Sequence, residues 1–213
     1  MSLPEPKQPF HNEMPEDDLS LVVTAMRIRG IRFQPPLDEG EIQDIERHNA
    51  FFFPPDLRKL LEIAVPHPSH GFTDWRKETP TPLATILRQK AANSICWQLT
   101  YCNLPWPFEE SGGQPKDPGA MFDKVYEMFS IAPKMVPLLD RRFYMPCEPK
   151  RAGNPVFLIS SSNHFALSYG GFNLSHFLIK RFGLAQNIGA KPLPRRVRFW
   201  QQFVTAKISS ESE

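Results

Sequence analysis

The chain has 213 residues, enough for one domain with short extensions, and 41% of them are hydrophobic, enough to bury a core. A formal net charge of +2 gives no global pull toward nucleic acid or an anionic membrane surface. The 23 prolines, about twice ordinary usage, argue against a purely helical bundle and for short elements joined by shaped loops.

Residues 1–15 are Pro-rich, polar and aperiodic and read as a loose tail. They hold no basic stretch followed by an apolar one, so no secretory signal is expected, and no run approaches the ~18 apolar residues of a membrane span. "PEDDLSLVVTAMRIRG" puts acids first, an apolar middle, basic residues last and Gly30 at the end. That order complements a helix dipole and supplies a terminator. The alternation of apolar and Arg residues across Met26–Ile31 leaves a strand open there. In "LDEGEIQDIERHNAF", Asp38 caps a helix, Glu41 is its capping-box partner, and Ile42, Ile45 and Asn49 share one face. The acids Glu39, Glu41, Asp44 and Glu46 read as cap or solvated face. "FFFPPDLRKLLEIAVP" opens a second helix after a break at Phe51–Pro54. Pro55 suits its first position and Asp56 its first turn. Leu57, Leu60, Leu61 and Ala64 form the inward stripe, and Pro66 ends it.

"TPTPLATILRQKAA" repeats this grammar, with Thr81 as cap, Pro82 first and Leu83, Ile86 and Leu87 inward. "SICWQLTYC" (94–102) is apolar, aromatic and β-branched and predicts a strand. The Pro and Gly content of "LPWPFEESGGQPKDPG" predicts a long loop. Asp117 then caps a helix entered by Pro118, with Met121, Val125 and Met128 facing in. "KMVPLLDRRFYMP" reads as two short extended pieces turning near Asp140. Pro155–Ile159 is a short strand, and Phe165, Leu167 and Tyr169 alternate into a second that ends at Gly170-Gly171. "FNLSHFLIKRFG" is a helix with Leu174, Phe177, Leu178 and Phe182 on one face and Gly183 after it. Phe199 and Trp200 look like core anchors of a last helix.

Ser160, Ser161, Ser162, Asn163 and His164 stand in one run, but small hydroxyl and amide side chains there have hairpin-turn grammar. The glycines that flank the serine of a nucleophile elbow are absent. A small hydrolase or transferase that pairs His164 or His176 with a serine stands as the alternative reading. Neither phosphate-cradling glycine motif occurs, and His67 and His70 have no second cluster to complete a metal site, so no cofactor and no metal are expected. Cys96, Cys102 and Cys147 form no C-x-x-C pair and no even set, which fits reduced thiols in a cytoplasmic setting. Two basic runs, Arg27/Arg29/Arg32 and "KPLPRRVR" (191–198), could touch phosphate, but the near-neutral total charge disfavours nucleic acid. Two loops each carry a large aromatic inside a polar rim: Asp74, Trp75 and Arg76 in "GFTDWRKE", and Trp106, Phe108, Glu109 and Glu110 in "LPWPFEESGG". Such rings are either lids folded onto the core or anchors for a partner.

The order of these motifs resembles the SUKH superfamily, in particular its Smi–Knr branch. "EGEIQDIERHNAFFFPPDLRKLL" resembles the family's opening helix pair, and "GFTDWR" the Trp segment that follows. "APKMVPLLDRRFYMPCEPKRAGNPVFLIS" resembles its A-P-x-L-I-P to G-N-P-V-F stretch, "YGGFNLSHFLIKRFG" its closing helix and "RFWQQFV" its terminal Phe-Trp segment. The likeness runs in order from about residue 38 to 204. Arg141 and Arg142 stand where the family usually has His-Arg, and its Thr-Asp strand start is replaced here by Asn163-His164 or Phe165-Ala166. The resemblance implies an α+β fold with a central, largely antiparallel sheet flanked by helices, two of them near the N-terminus, and a β-hairpin followed by helices near the C-terminus. It implies one domain over residues 16–208 with a loose end at 209–213. It also implies a module without catalytic apparatus, which binds a protein partner: a toxin in immunity, or a signalling protein in cell-wall regulation. On this reading Asp74, Trp75, Arg76, Trp106, Phe108, Glu109 and Glu110 are the candidate contact residues.

Overall fold

The computed structural model describes residues 17–77, 81–102, 105–108, 112–160, 165–184 and 193–204, with 17–18 and 81–89 described by backbone alone. In chain order the elements are α1 (Asp17–Ile28), β1 (Phe33–Gln34), α2 (Glu39–Asn49), α3 (Pro55–Ile63), β2 (Val65–Pro66), α4 (Thr81–Tyr101), α5 (Pro118–Ser130), β3 (Met135–Leu139), β4 (Phe143–Pro146), β5 (Val156–Ile159), β6 (Leu167–Gly171) and α6 (Leu174–Arg181). Short 3-10 turns occupy Pro68–His70 and Trp200–Phe203. The fold is α+β: β1 and β2 pair antiparallel, and a second antiparallel sheet runs β3-β4-β5-β6.

Successive residues of the four-stranded sheet enter different cores. Val136, Met145 and Val156 pack with α1, α2, α3 and α6 in one cluster, whose fully buried members include Met26, Ile42, Leu60 and Phe177. Their neighbours Met135, Tyr144 and Phe157 pack with α4, α5 and the Trp200 turn in another, around Ile95, Val125 and Phe129. This is the two-residue period of a strand expressed on a sheet covered on both faces. It explains why β3, "MVPLL", is apolar throughout and wholly buried. Pro137, which has no N–H to give, is tolerated because β3 is an edge strand.

The capping grammar of the N-terminal helices is realised. Asp38 accepts from the Glu41 N–H at 2.8 Å, and Glu41 accepts from the Asp38 N–H at 3.0 Å. Pro55 opens α3, whose buried face is Leu57, Leu60 and Leu61. Asp117 caps α5 through the Ala120 N–H. The turn between β3 and β4 falls at Asp140 and Arg141, both with positive φ.

Several expectations are corrected. Residues 94–101 are not a strand but the second half of α4, because their buried side chains keep a helical spacing: Ala91, Ala92, Ile95, Cys96 and Leu99 go inside while Trp97 and Tyr101 stay outside. Met26–Ile28 belongs to α1, not to a strand, and the chain leaves it through Gly30 at φ 82. On α5 it is Phe129 that is buried, with Met128 partly covered beside it. Glu46 is turned inward at 8% exposure, because the Phe53 N–H needs its carboxylate. The strand pairing continues through Gly170 and Gly171. Trp200 is buried as expected, on a 3-10 turn and not a full helix. The expected inward faces of Leu83, Ile86 and Leu87, the Ser161–His164 turn, the tail 1–15 and the end 209–213 lie outside what is described.

Candidate functional site

The two aromatic loops sit on opposite sides of the sheet. Trp75, 4% exposed, is inside the first cluster, edge-on to Phe53 at 4.9 Å and to Phe51 at 6.4 Å. Asp74 is partly covered, 4.0 Å from Lys77. Arg76 reaches back across the surface to the start of α2. Phe108 is buried in the second cluster among Phe129, Phe199 and Phe203. Trp106 lies edge-on to it and donates its indole N–H to the Phe108 and Gly112 carbonyls. Glu109 and Glu110 lie outside the described residues. The structure therefore does not bring these residues to one surface, and the rings of Trp75 and Phe108 face inward.

A groove of about 520 Å³ opens elsewhere, where the α2–α3 junction meets the loop 150–153 and the start of α6. Its position follows from the sequence "AFFFPPD". The chain leaves α2 through Ala50 in the left-handed region and re-enters helix at Pro55, so three consecutive phenylalanines cross a turn. They cannot all point inward. Phe51 and Phe53 pack into the core, and Phe52 is left 58% exposed on the groove's rim. Lys150 from the facing loop sets its ammonium 3.9 Å from the Phe52 ring centroid, a cation–π contact.

The charged groups of this groove are tied down. The Glu46 carboxylate accepts from the Phe53 N–H at 2.8 Å, with Arg58 at 3.8 Å. Arg58 itself is spread over three acids, Glu39, Glu46 and Glu62. Hydrogen bonds from Gln43 and Arg58 hold the Glu39 carboxyl below the usual carboxylate range. The Asp56 carboxylate accepts from the Gly153 N–H at 2.7 Å and so fixes the facing loop. Burial pushes Asp56 up from the ordinary aspartate value, while the Gly153 hydrogen bond and the charge of Arg195 oppose that shift. On the far side, Asn154 steadies the same loop by donating to the carbonyls of Pro146 and Pro149. Asn173 caps α6. Lys59 lies exposed on the rim. The result is an apolar floor and wall inside a rim of mixed charge.

The histidines of the alternative reading are placed as follows. His176 Nδ1 accepts from the Phe172 N–H at 3.1 Å, and its ring lies against Phe172. His164 lies outside the described residues. His67 and His70 are half-buried and knit their loop to Ser69 and the Arg32 backbone N–H. Among the described residues no group of three or more His, Cys, Asp or Glu could hold a metal ion, and no helix is long and apolar enough to cross a membrane.

In the sequence Phe51–Pro54 reads as a bare joint, Asp56 as a first-turn acid only, and Phe52 and Lys150 carry no expectation. The available signal was the triplet itself, since a turn cannot bury three large side chains in a row. A scan of family models, a search of curated proteins and a search of solved structures each found no match to this chain.

Proposed function

We propose that the chain is a non-catalytic protein-binding module of the SUKH type, acting by capping or scaffolding a protein partner at the α2–α3 groove. The observation that carries this reading is the exposed ring of Phe52 on the rim of a groove whose acids already have backbone or arginine partners. An apolar centre inside a charged rim is the anatomy of a protein interface. The motif order supports the same class and supplies its expected partner, a toxin or a signalling protein met in the cytoplasm.

The test is site-specific photo-crosslinking in cells, with a benzophenone side chain at Lys59 on the rim and, as control, at Lys116. A discrete cross-linked protein from position 59 alone, weakened by Phe52→Ala in the same chain, is the expected result. Equal products from both positions, or none from position 59, would sink the reading. A stoichiometric fluorophosphonate adduct at a serine would favour the hydrolase instead.

A further inference from the structure

Four separate segments meet at the end of the molecule where α1 and α6 finish, and three of them bring arginine. The contacts between them form a continuous chain. Arg29 donates to the Gly183 carbonyl after α6 at 2.7 Å. Arg32 donates to Ser69 at 2.8 Å, and its backbone N–H to His70. That loop continues to Gly71, whose carbonyl accepts from the Asp140 N–H of the β3–β4 turn at 2.8 Å. Asp140 in turn accepts from Arg181 of α6 at 2.9 Å. Arg27, Arg29, Arg32, Arg141, Arg142 and Arg181 are all exposed, and the acid these contacts bring among them, Asp140, is held by Arg181.

Helix dipoles account for part of this. Arg27 and Arg181 sit in last turns, where a cation is favoured. Arg32, Arg141 and Arg142 lie on a loop and a β-turn, where no helix end asks for them. The whole chain carries only +2, so charge of one sign is concentrated here and not spread evenly. In the middle of the α1 pair stands Ile28, 82% exposed. The aromatic rings of this end are not presented to solvent as stacking platforms: Phe33 lies under Arg27 at 5.3 Å and Phe143 under Arg181 at 5.9 Å. Single-stranded nucleic acid asks for such platforms. Carboxylates ask for arginine forks, and a protein partner adds an apolar side chain that can cover Ile28.

We propose that this end is a docking surface for an acidic segment of a protein partner, with carboxylates on the arginines and an apolar side chain on Ile28. It rests on the reading of the chain as a protein-binding module but uses a surface separate from the Phe52 groove.

The probe is a short fluorescein-labelled peptide of Glu and Asp with Leu at intervals, titrated with the full chain and read by anisotropy. Saturable binding that weakens as salt is raised is expected. Arg27→Glu with Arg142→Glu should weaken it about tenfold or more. Ile28→Ser should weaken it about threefold or more, as apolar contact is lost. Lys90→Glu on α4, a single charge reversal elsewhere, should leave it within about twofold. The milder pair Arg27→Gln with Arg142→Gln, checked by an unchanged thermal melt, should give an intermediate loss and guards against misfolding of the reversal. Absence of saturable binding, an equal loss with Lys90→Glu, or no loss in the folded Gln pair overturns the proposal. Oligothymidylate of matched charge binding as tightly as the peptide overturns it in favour of nucleic acid. Lost peptide binding with intact cross-linking at position 59 sinks this surface alone, whereas the reverse pattern sinks the groove.

Discussion

Arg76 and Glu41 form a two-pronged ion pair, Nε to Oε1 at 2.7 Å and Nη2 to Oε2 at 3.1 Å. The other three N–H donors of Arg76 go to the Gln34 side chain and to the carbonyls of Pro35 and Pro36. All five donors of the guanidinium are thereby used. Glu41 is also the residue that closes the capping box at the start of α2. One side chain therefore ties the loop after Trp75 to the entry of the helix that leads to the groove.

Replacing Arg76 by Ala is expected to cost about 1–2 kcal/mol in urea denaturation at neutral pH, modest because the pair is about a third exposed. Arg76→Lys should recover little of it, since an ammonium cannot fork. Arg76, and then the Asp38 N–H, hold the Glu41 carboxyl below its ordinary value. A lowered carboxylate contributes stability that is present above the unfolded pKa and lost as pH falls through the folded one. The gap between wild type and Arg76→Ala should therefore narrow on acidification. A gap that stays constant would assign the effect to the proline carbonyls.

Asp56 has the opposite sign. Its folded pKa is raised, first by burial, so ionisation costs the folded state. Its contribution is complete below the ordinary aspartate value and declines as pH rises through the folded one. Asp56→Asn keeps an oxygen for the Gly153 N–H and removes the charge. The variant should gain stability relative to wild type between acid and neutral pH, read as the difference in urea midpoints. A relative loss over that interval would show that the charge itself, facing Arg195, is favourable.

Gly171 is where α6 comes down on β6. A Cβ there would lie 2.5 Å from the Phe177 Cβ and 2.6 Å from its Cα, which are not the far end of a flexible chain. Gly171→Ala is expected to cost about 1–3 kcal/mol by overpacking. Gly113, with nothing within 4 Å of its added Cβ, is the comparison, and Gly113→Ala should stay within about 0.5 kcal/mol. Equal melting temperatures for the two variants would place α6 farther from the sheet than described.

The three thiols should separate by reactivity. Cys102 is exposed, Cys96 is buried with its thiol pushed up by burial, and Cys147 is pushed up to about 12, again by burial. A thiolate-seeking reagent at mildly alkaline pH should label Cys102 alone in the native chain and all three in denaturant. Fast native labelling of Cys147, identified by peptide mapping, would show that the strand end after β4 opens readily.

The helix caps were legible because they are local. Asp38 with Glu41, Pro55 with Asp56, and Asp117 with Pro118 each announce a helix start through side chains a few residues apart. The β3–β4 and β5–β6 strands were legible from apolar runs bounded by turn residues. Residues 94–102 read as a strand because the run that opens at Ser94 is β-branched and aromatic. Including Ala91 and Ala92 restores the helical period that the tertiary packing selects. The groove was least legible, since it joins Phe52 to Lys150 and Asp56 to Gly153 across nearly a hundred residues of sequence. No local pattern encodes such pairs. The rings of Trp75 and Phe108 stand inside the two cores for a related reason, because loops that carry large aromatics can fold them back when a sheet offers two faces to cover.

Both borders of the four-stranded sheet are occupied by other parts of the same chain. Beside β3, Phe72 bridges Leu139, and Thr73 donates its N–H to Leu138 and its hydroxyl to Pro137. Beside β6, Val204 bridges Leu167 in parallel. Unsatisfied strand borders are templates on which further copies assemble into aggregates. The segment leading to Val204 thus guards against that assembly, with Trp200 holding it through its indole N–H on the Pro133 carbonyl. A change that frees the segment would bare the β6 border to pairing with another copy, so turbidity is expected alongside the lowered melting point that disturbing a buried tryptophan brings.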